Sequence, residues 1–230
     1  MKSDTVYIYG KHAIEEAQAH APHVLKKVMT GVKGEGHGGY VAVVDTTKLL
    51  IPYADFVSKL NQTATMALLV LDGLTDPHNV GAIIRSAAAF NIAAVLLPSV
   101  GQAPVTSAVV KTSAGMVFRI PLVTIDSTPE ALKDLKTRGF KTFGLAGKGA
   151  AVLGQTVFDA PTVFVVGNEG AGLEPETEGL CDALLSIPIN PRTESLNTAQ
   201  AATVVMYEWN KHHEQGAKRL LECAVQRPNA

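Results

Sequence analysis

Val163-Phe-Val-Val-Gly167-Asn-Glu169-Gly-Ala-Gly-Leu173 runs from four apolar residues directly into three glycines that surround one carboxylate. The apolar run predicts a strand of a largely parallel sheet. The glycines at its end let a ligand approach the backbone closely, and the carboxyl ends of parallel strands are where α/β proteins hold ligands. Glu169 is the only charge between Asp159 and Glu174. The spacing of Gly167, Gly170 and Gly172 differs from the dinucleotide fingerprint, and no Gly-Lys-Ser or Gly-Lys-Thr of a P-loop follows. Taken alone, the turn also reads as a tight strand-to-helix connection with a solvent-facing glutamate.

Outward from this stretch, short apolar strands alternate with helical stretches from Thr65 onward. That alternation predicts an α/β fold, a mostly parallel sheet flanked by helices. Strands are expected at 66–71, 93–97, 120–125, 141–146, 162–166 and 184–187, and helices at 79–90, 105–114, 129–138 and 197–211. Residues 1–64 read differently. They predict one short helix at 13–20, strands at 27–29 and 41–44, and a flexible glycine-rich loop at 31–39. A division is expected near 61–65, giving an N-terminal segment 1–64, a main domain 65–213 and a fraying tail 214–230.

Composition sets the outer limits. At 230 residues and 47% hydrophobic, the chain can bury one substantial core. With 18% charged residues and a net charge of −1, it has no global field for nucleic acid, so RNA contact requires local patches. Candidate patches are Lys26 with Lys27, the run Lys133, Lys136, Arg138 and Lys141 with Lys148, and the stretch from Lys211 to Arg219; each also reads as a solvated helix face. Cys181 and Cys223 lack metal-ligand spacing, which argues against structural zinc and a disulfide framework. The N-terminus lacks the apolar core of a signal peptide and no run is long enough to span a membrane, so a cytoplasmic protein is expected.

Two further segments couple a strand end to a polar loop and a helix. In Asp76-Pro-His-Asn-Val-Gly-Ala-Ile-Ile-Arg85, Asn79 stands where a helix N-cap is expected. Arg85 is the only permanent charge between Asp76 and Lys111. If buried, its guanidinium must meet an anion, carbonyls or water in a cleft; the plainer reading is an exposed outer face. In Ile187-Pro-Ile-Asn-Pro-Arg-Thr-Glu-Ser195-Leu-Asn197, Ser195 and Asn197 fall at a helix N-terminus, where free N–H groups favour anions such as phosphate. Simple capping would explain them equally well, and Gln200 three residues after Asn197 fits a capping box.

The three segments in this order resemble the SpoU (TrmH-like) family of RNA ribose 2′-O-methyltransferases, within the SPOUT class, over residues 66–209. The resemblance implies a C-terminal deep trefoil knot, an exception to the rule against knotting. It also implies that S-adenosyl-L-methionine is held around Gly167, Ile187 and Leu196, beside Leu145, Ala146 and Gly147. Asn168, Glu169, Gly172, Ile189 and Ser195 complete that implied set. Arg85 would stabilise the developing ribose alkoxide, Asn79 and Glu169 would orient Arg85 and the ribose, and Ser195 and Asn197 would hold the 2′-hydroxyl or a phosphate. No metal is implied; the partners are RNA, ribosomal slightly favoured over transfer RNA, and a second copy in a homodimer that uses the apolar helix 199–209.

Two departures stand out. Ile189-Asn-Pro-Arg192 follows Ile187-Pro where the family has Met and Gly. The opening Tyr9-Gly-Lys-His-Ala-Ile-Glu-Glu resembles the start of an L30e-like domain, but the segment is too short to hold all of one, so a reduced L30e-like RNA-binding segment is expected over residues 1–64. The competing readings are a catalytically silent knotted RNA-binding or assembly module, and an NAD oxidoreductase, which the glycine spacing disfavours.

Overall fold

The computed structural model describes residues 5–32, 38–149 and 151–213. Most of the expected glycine-rich loop and all of the expected tail lie outside these residues.

The chain opens with β1 (Thr5–Tyr9), α1 (Lys11–His20), β2 (Leu25–Thr30) and β3 (Tyr40–Asp45). The strands form an antiparallel sheet ordered β1-β3-β2. Next come β4 (Leu50–Pro52) and α2 (Tyr53–Ser58), then β5 (Ala67–Leu71), α3 (Pro77–Ala89), β6 (Ala94–Pro98) and α4 (Ser107–Thr112). The chain continues through β7 (Leu122–Ile125), α5 (Thr128–Thr137), β8 (Lys141–Leu145), β9 (Ala151–Val152) and β10 (Thr162–Val166). It closes with α6 (Pro175–Leu180), β11 (Ala183–Ser186) and α7 (Thr198–His212). The second sheet has eight strands in the order β4-β7-β6-β5-β10-β8-β11-β9, and every pairing in it is parallel. Sheet membership changes at the short 3-10 turn Thr46–Leu49, because Leu50–Pro52 pairs with Leu122–Thr124. That change falls ahead of the junction expected at 61–65.

The central strands are apolar throughout because both sheet faces are covered. Leu69, Leu71, Phe164 and Val166 point into one cluster beneath α3, α4 and α7. Leu68, Val70, Val163 and Val165 point into the other, closed by Leu132 and Leu135 of α5. The small N-terminal sheet adds Ile8, Ala42 and Val44 to the first cluster, with Ile14 and Ala17 of α1. Glu16 of α1 grips Arg119 through two hydrogen bonds, the Nη2 bond at 2.7 Å, and joins the N-terminal unit to the main sheet.

Two local expectations are corrected. The N-cap of α3 is Asp76, whose carboxylate accepts the His78 N–H at 2.8 Å, with Pro77 at the first helical position. A proline there is pre-set for the helix and displaces the cap upstream of Asn79. Arg85 lies on an exposed helix face, the plainer of its two sequence readings. On α7, Ala202, Val205, Met206 and Trp209 are buried within the chain, so the apolar stripe expected at a dimer interface is largely used internally. Val204 and Tyr207 remain outside, 38% and 54% exposed.

Candidate active site

Parallel strands put their carboxyl ends along one edge of the sheet. β5 hands the chain toward β6 on one side, while β10, β8 and β11 lie on the other, so the boundary between β5 and β10 is the point where strand order reverses. Ligands of open α/β sheets bind at such a point.

A cleft opens along this edge. Leu145, Ala146 and Gly147 enter it from the end of β8, and Val166, Gly167, Asn168 and Gly172 from β10 and its turn. Leu185 belongs to β11 and Ile187 and Ile189 follow it, while Glu194, Ser195 and Leu196 lead into α7 and Thr198 and Ala201 come from its start. A Cβ added at Gly167 would collide with the backbone of Gly172 and Leu173, so the turn closes only without a side chain there. One added at Gly147 would meet no protein atom within 4 Å, leaving that backbone open to a ligand. Asn168 holds the turn: its Oδ1 accepts from Gly170 and Ala171 N–H at 2.9 and 3.1 Å, and its Nδ2 donates to Gly73 O at 2.8 Å. Apolar walls with exposed main-chain groups and a few polar side chains are the make-up of a small-molecule or cofactor site.

Glu169 does not line this cleft. Its carboxylate turns toward α3, accepting from Asp76 N–H at 3.3 Å and from Asn79 Nδ2 at 3.2 Å. Asn79 Oδ1 accepts in turn from Asn197 Nδ2 at 3.0 Å. Asn197 caps α7, its Oδ1 accepting from Ala199 and Gln200 N–H at 2.9 and 3.3 Å. The three sequence segments thus meet in one chain of hydrogen bonds. Beyond it lies a shallow groove of about 570 Å³ between α3, α4 and α7, lined by His78, Asn79, Thr112, Asn197 and Val204 among others. The first turn of α7 forms a common wall: Leu196 and Thr198 face the cleft, and Asn197 and Ala199 face the groove.

The Arg85 side chain stands apart from the network, with no hydrogen bond or ion pair among the described residues, so Asn79 and Glu169, expected to orient it, are bonded to Asp76 and Asn197 instead. Of the cleft residues not anticipated, Val166 and Leu185 are the last inward residues of their strands, and Glu194 directly precedes Ser195. A strand-end rule would have found the first two. The basic run expected to meet RNA is largely spent in ion pairs: Lys133 with Glu176, Lys136 with Asp182, Arg138 with Asp134 and Lys141 with Asp159. Burial against the α5-side cluster pushes the Cys181 thiol up to about 11.

Among known proteins, the 23S rRNA (guanosine-2′-O-)-methyltransferase RlmB of Xanthomonas campestris is 42% identical over 141 residues, 61% of this chain and 57% of that protein. The protein of the same name from Vibrio parahaemolyticus is 34% identical over 175 residues, 76% of this chain and 70% of that one. The chain thus spans less than two thirds of the Xanthomonas relative. The crystal structure of the SpoU methyltransferase AviRb from Streptomyces viridochromogenes, in complex with AdoMet, superimposes with a TM-score of 0.77 at 25% identity, covering 92% of this chain and 91% of that one. Residues 66–207, which contain the cleft, the network and the groove, match the SpoU rRNA Methylase family, and by that match over more than half its length the chain belongs to it.

Proposed function

We propose that this chain transfers a methyl group from S-adenosylmethionine to the ribose 2′-oxygen of a nucleotide in structured RNA. The observation that carries the reading is the shared wall at the start of α7, with a ligand cleft on one side and a polar network facing an open groove on the other. Ribosomal RNA is favoured by the names of the Xanthomonas and Vibrio relatives.

S-adenosylmethionine bound in the cleft supplies an activated methyl group. Leu145, Gly167, Ile187 and Leu196 would hold it through apolar contact and main-chain groups, and Ser195 lines the same cleft. On the groove side Asn79, Asn197 and Glu169 orient the ribose, whose hydroxyl is a poor nucleophile until its proton departs. Arg85, exposed and without a protein partner among the described residues, is available to an RNA phosphate and stabilises the alkoxide as it forms. A guanidinium does not give up its proton in a protein and so serves better as that stabiliser than as a base.

The active form in this reading is a cytoplasmic homodimer in which Val204 and Tyr207 meet a second copy, and the chain after β10 threads a trefoil knot. No helix among the described residues is long and apolar enough to cross a membrane. The test is methyl incorporation from labelled cofactor into ribosomal and transfer RNA, with 2′-O-methyl mapping of the product. Ribose methylation at a defined nucleotide is expected. Tight cofactor binding without transfer to either RNA would leave a silent RNA-binding module instead.

A further inference from the structure

Among the described residues, Glu194 is the one charged side chain that lines the cleft, and the local sequence delivers it there. Asn190-Pro-Arg-Thr193 is a turn by composition. Asparagine at the first position can bond the backbone two residues on, and proline at the second has its φ already set. Asn190 Oδ1 accepts from the Arg192 N–H at 3.0 Å, and Asn190 O accepts from the Thr193 N–H at 2.8 Å. The loop that departs from the family's Met and Gly is thus closed on itself. The chain leaves it with Glu194 at the cleft, directly before Ser195 and Leu196.

The Glu194 carboxylate is exposed, with no hydrogen bond or ion pair among the described residues. Asn168, Ser195 and Thr198 are the other polar side chains of the cleft, and none of them carries a charge. Lys148 adjoins Gly147 and Arg192 lies in the turn, but neither lines the cleft. A carboxylate that no protein cation neutralises acts on the whole charge of a bound ligand. Salt screens it over about 8 Å at physiological ionic strength, and less effectively beside apolar walls. A neutral ligand that covers Glu194 strips its hydration and returns nothing, whereas a cationic one offsets that loss.

S-adenosylmethionine carries a sulfonium besides its amino acid zwitterion, so it is a net cation. Once the methyl group has left, the sulfur is a neutral thioether and S-adenosylhomocysteine has no net charge. We propose that Glu194 is the charge-selecting residue of the cleft, favouring the sulfonium form over the thioether and so promoting exchange of product for fresh cofactor. The ammonium and carboxylate of the amino acid end are common to both forms, and only the sulfonium separates them. Glu194 stands two residues before Leu196, in the approach to the wall that a transferred methyl group must clear. The inference rests on the proposed activity in taking S-adenosylmethionine as the ligand of the cleft.

The test is calorimetric titration of the full chain with S-adenosylmethionine and with S-adenosylhomocysteine, at low and at moderate salt. The wild type should favour the sulfonium form, and that preference should shrink as salt rises. Glu194→Gln should weaken S-adenosylmethionine binding about fivefold, the upper range for an exposed charge pair, and leave S-adenosylhomocysteine binding nearly unchanged. Glu194→Lys should lower the ratio of the two affinities further. Thermal melting should not move in either variant, because the side chain is exposed and unpaired. A glutamine variant with wild-type affinities for both ligands overturns the proposal. Equal weakening of both overturns it too, since the carboxylate would then meet the shared ammonium group. A wild type that binds neither ligand removes the proposed activity together with this role. One whose Glu194-dependent preference stands but which methylates no RNA removes the activity alone; an active enzyme whose glutamine variant keeps the full preference removes the role alone.

Discussion

At Gly167 the missing Cβ is a requirement of the backbone, because the turn folds back until Gly172 occupies the space a side chain would need. Gly167→Val should abolish S-adenosylmethionine binding in calorimetry. Overpacking of this kind costs about 1–3 kcal/mol, so melting should remain cooperative at a temperature several degrees lower. Retained affinity would move the cofactor elsewhere. Arg85 poses the opposite case, a side chain with ample space and no protein partner among the described residues. If it acts on charge that develops during transfer, Arg85→Ala should leave cofactor affinity unchanged and lower the single-turnover rate on the order of a hundredfold. Arg85→Lys should recover little, since an ammonium lacks the planar fork that bridges phosphate and ribose. An alanine variant with wild-type rate would remove Arg85 from the catalytic set.

At the scale of elements, α3 is oriented by its first turn. Asp76 caps it while Asn79, one turn in, is left to join Glu169 and Asn197. The two residues should therefore separate cleanly. Asp76→Ala should cost about 1 kcal/mol, a fall of about 2–4 °C in melting temperature. Asn79→Ala should leave melting nearly unchanged and reduce turnover. Equal melting losses in the two variants would mean that Asn79 also supports the helix end. Close contact between α3 and α4 depends on Gly81, where an added Cβ would lie 2.8 Å from Thr112 Cβ and 2.9 Å from Val109 O. That contact brings Thr112 to His78 and the N-terminal sheet toward the groove.

For the whole molecule, the attachment of the small sheet turns on Glu16. The hydrogen bond and charge of Arg119 hold the Glu16 carboxyl below the usual range despite its burial. A depressed folded value means that its contribution is complete above the unfolded pKa near 4.3 and drains away as pH falls through the lower folded value. Glu16→Gln should therefore destabilise the chain at pH 7 by about 1–3 kcal/mol and flatten the acid limb of the melting profile. An unaltered limb would assign acid sensitivity to other carboxylates. Association should depend on the exposed remainder of α7. Sedimentation should give a dimer at micromolar concentration for the wild type and a monomer for Tyr207→Glu. A wild-type monomer would remove the dimer from the proposed mechanism.

Much of this architecture was legible in the linear chain, because unbroken apolar runs such as 163–166 have no stable place except between two covered faces. The three polar segments could be read as ligand-bearing ends of strands for the same reason. Shorter pieces escaped. Leu50–Pro52 and Ala151–Val152 are too brief to show a period, and only pairing partners far along the chain make them strands. The basic run around Lys133 to Lys141 read as a possible RNA patch, yet folding sets each of those cations against a carboxylate. The division of labour at the site was equally a tertiary matter. Glu169 lies in the same turn as Gly167 and Gly172 but faces away from their cleft, because Asp76 and Asn79, about ninety residues earlier, supply its hydrogen-bond donors. Local chemistry determined which residues could serve a site, and long-range strand order determined which of them meet.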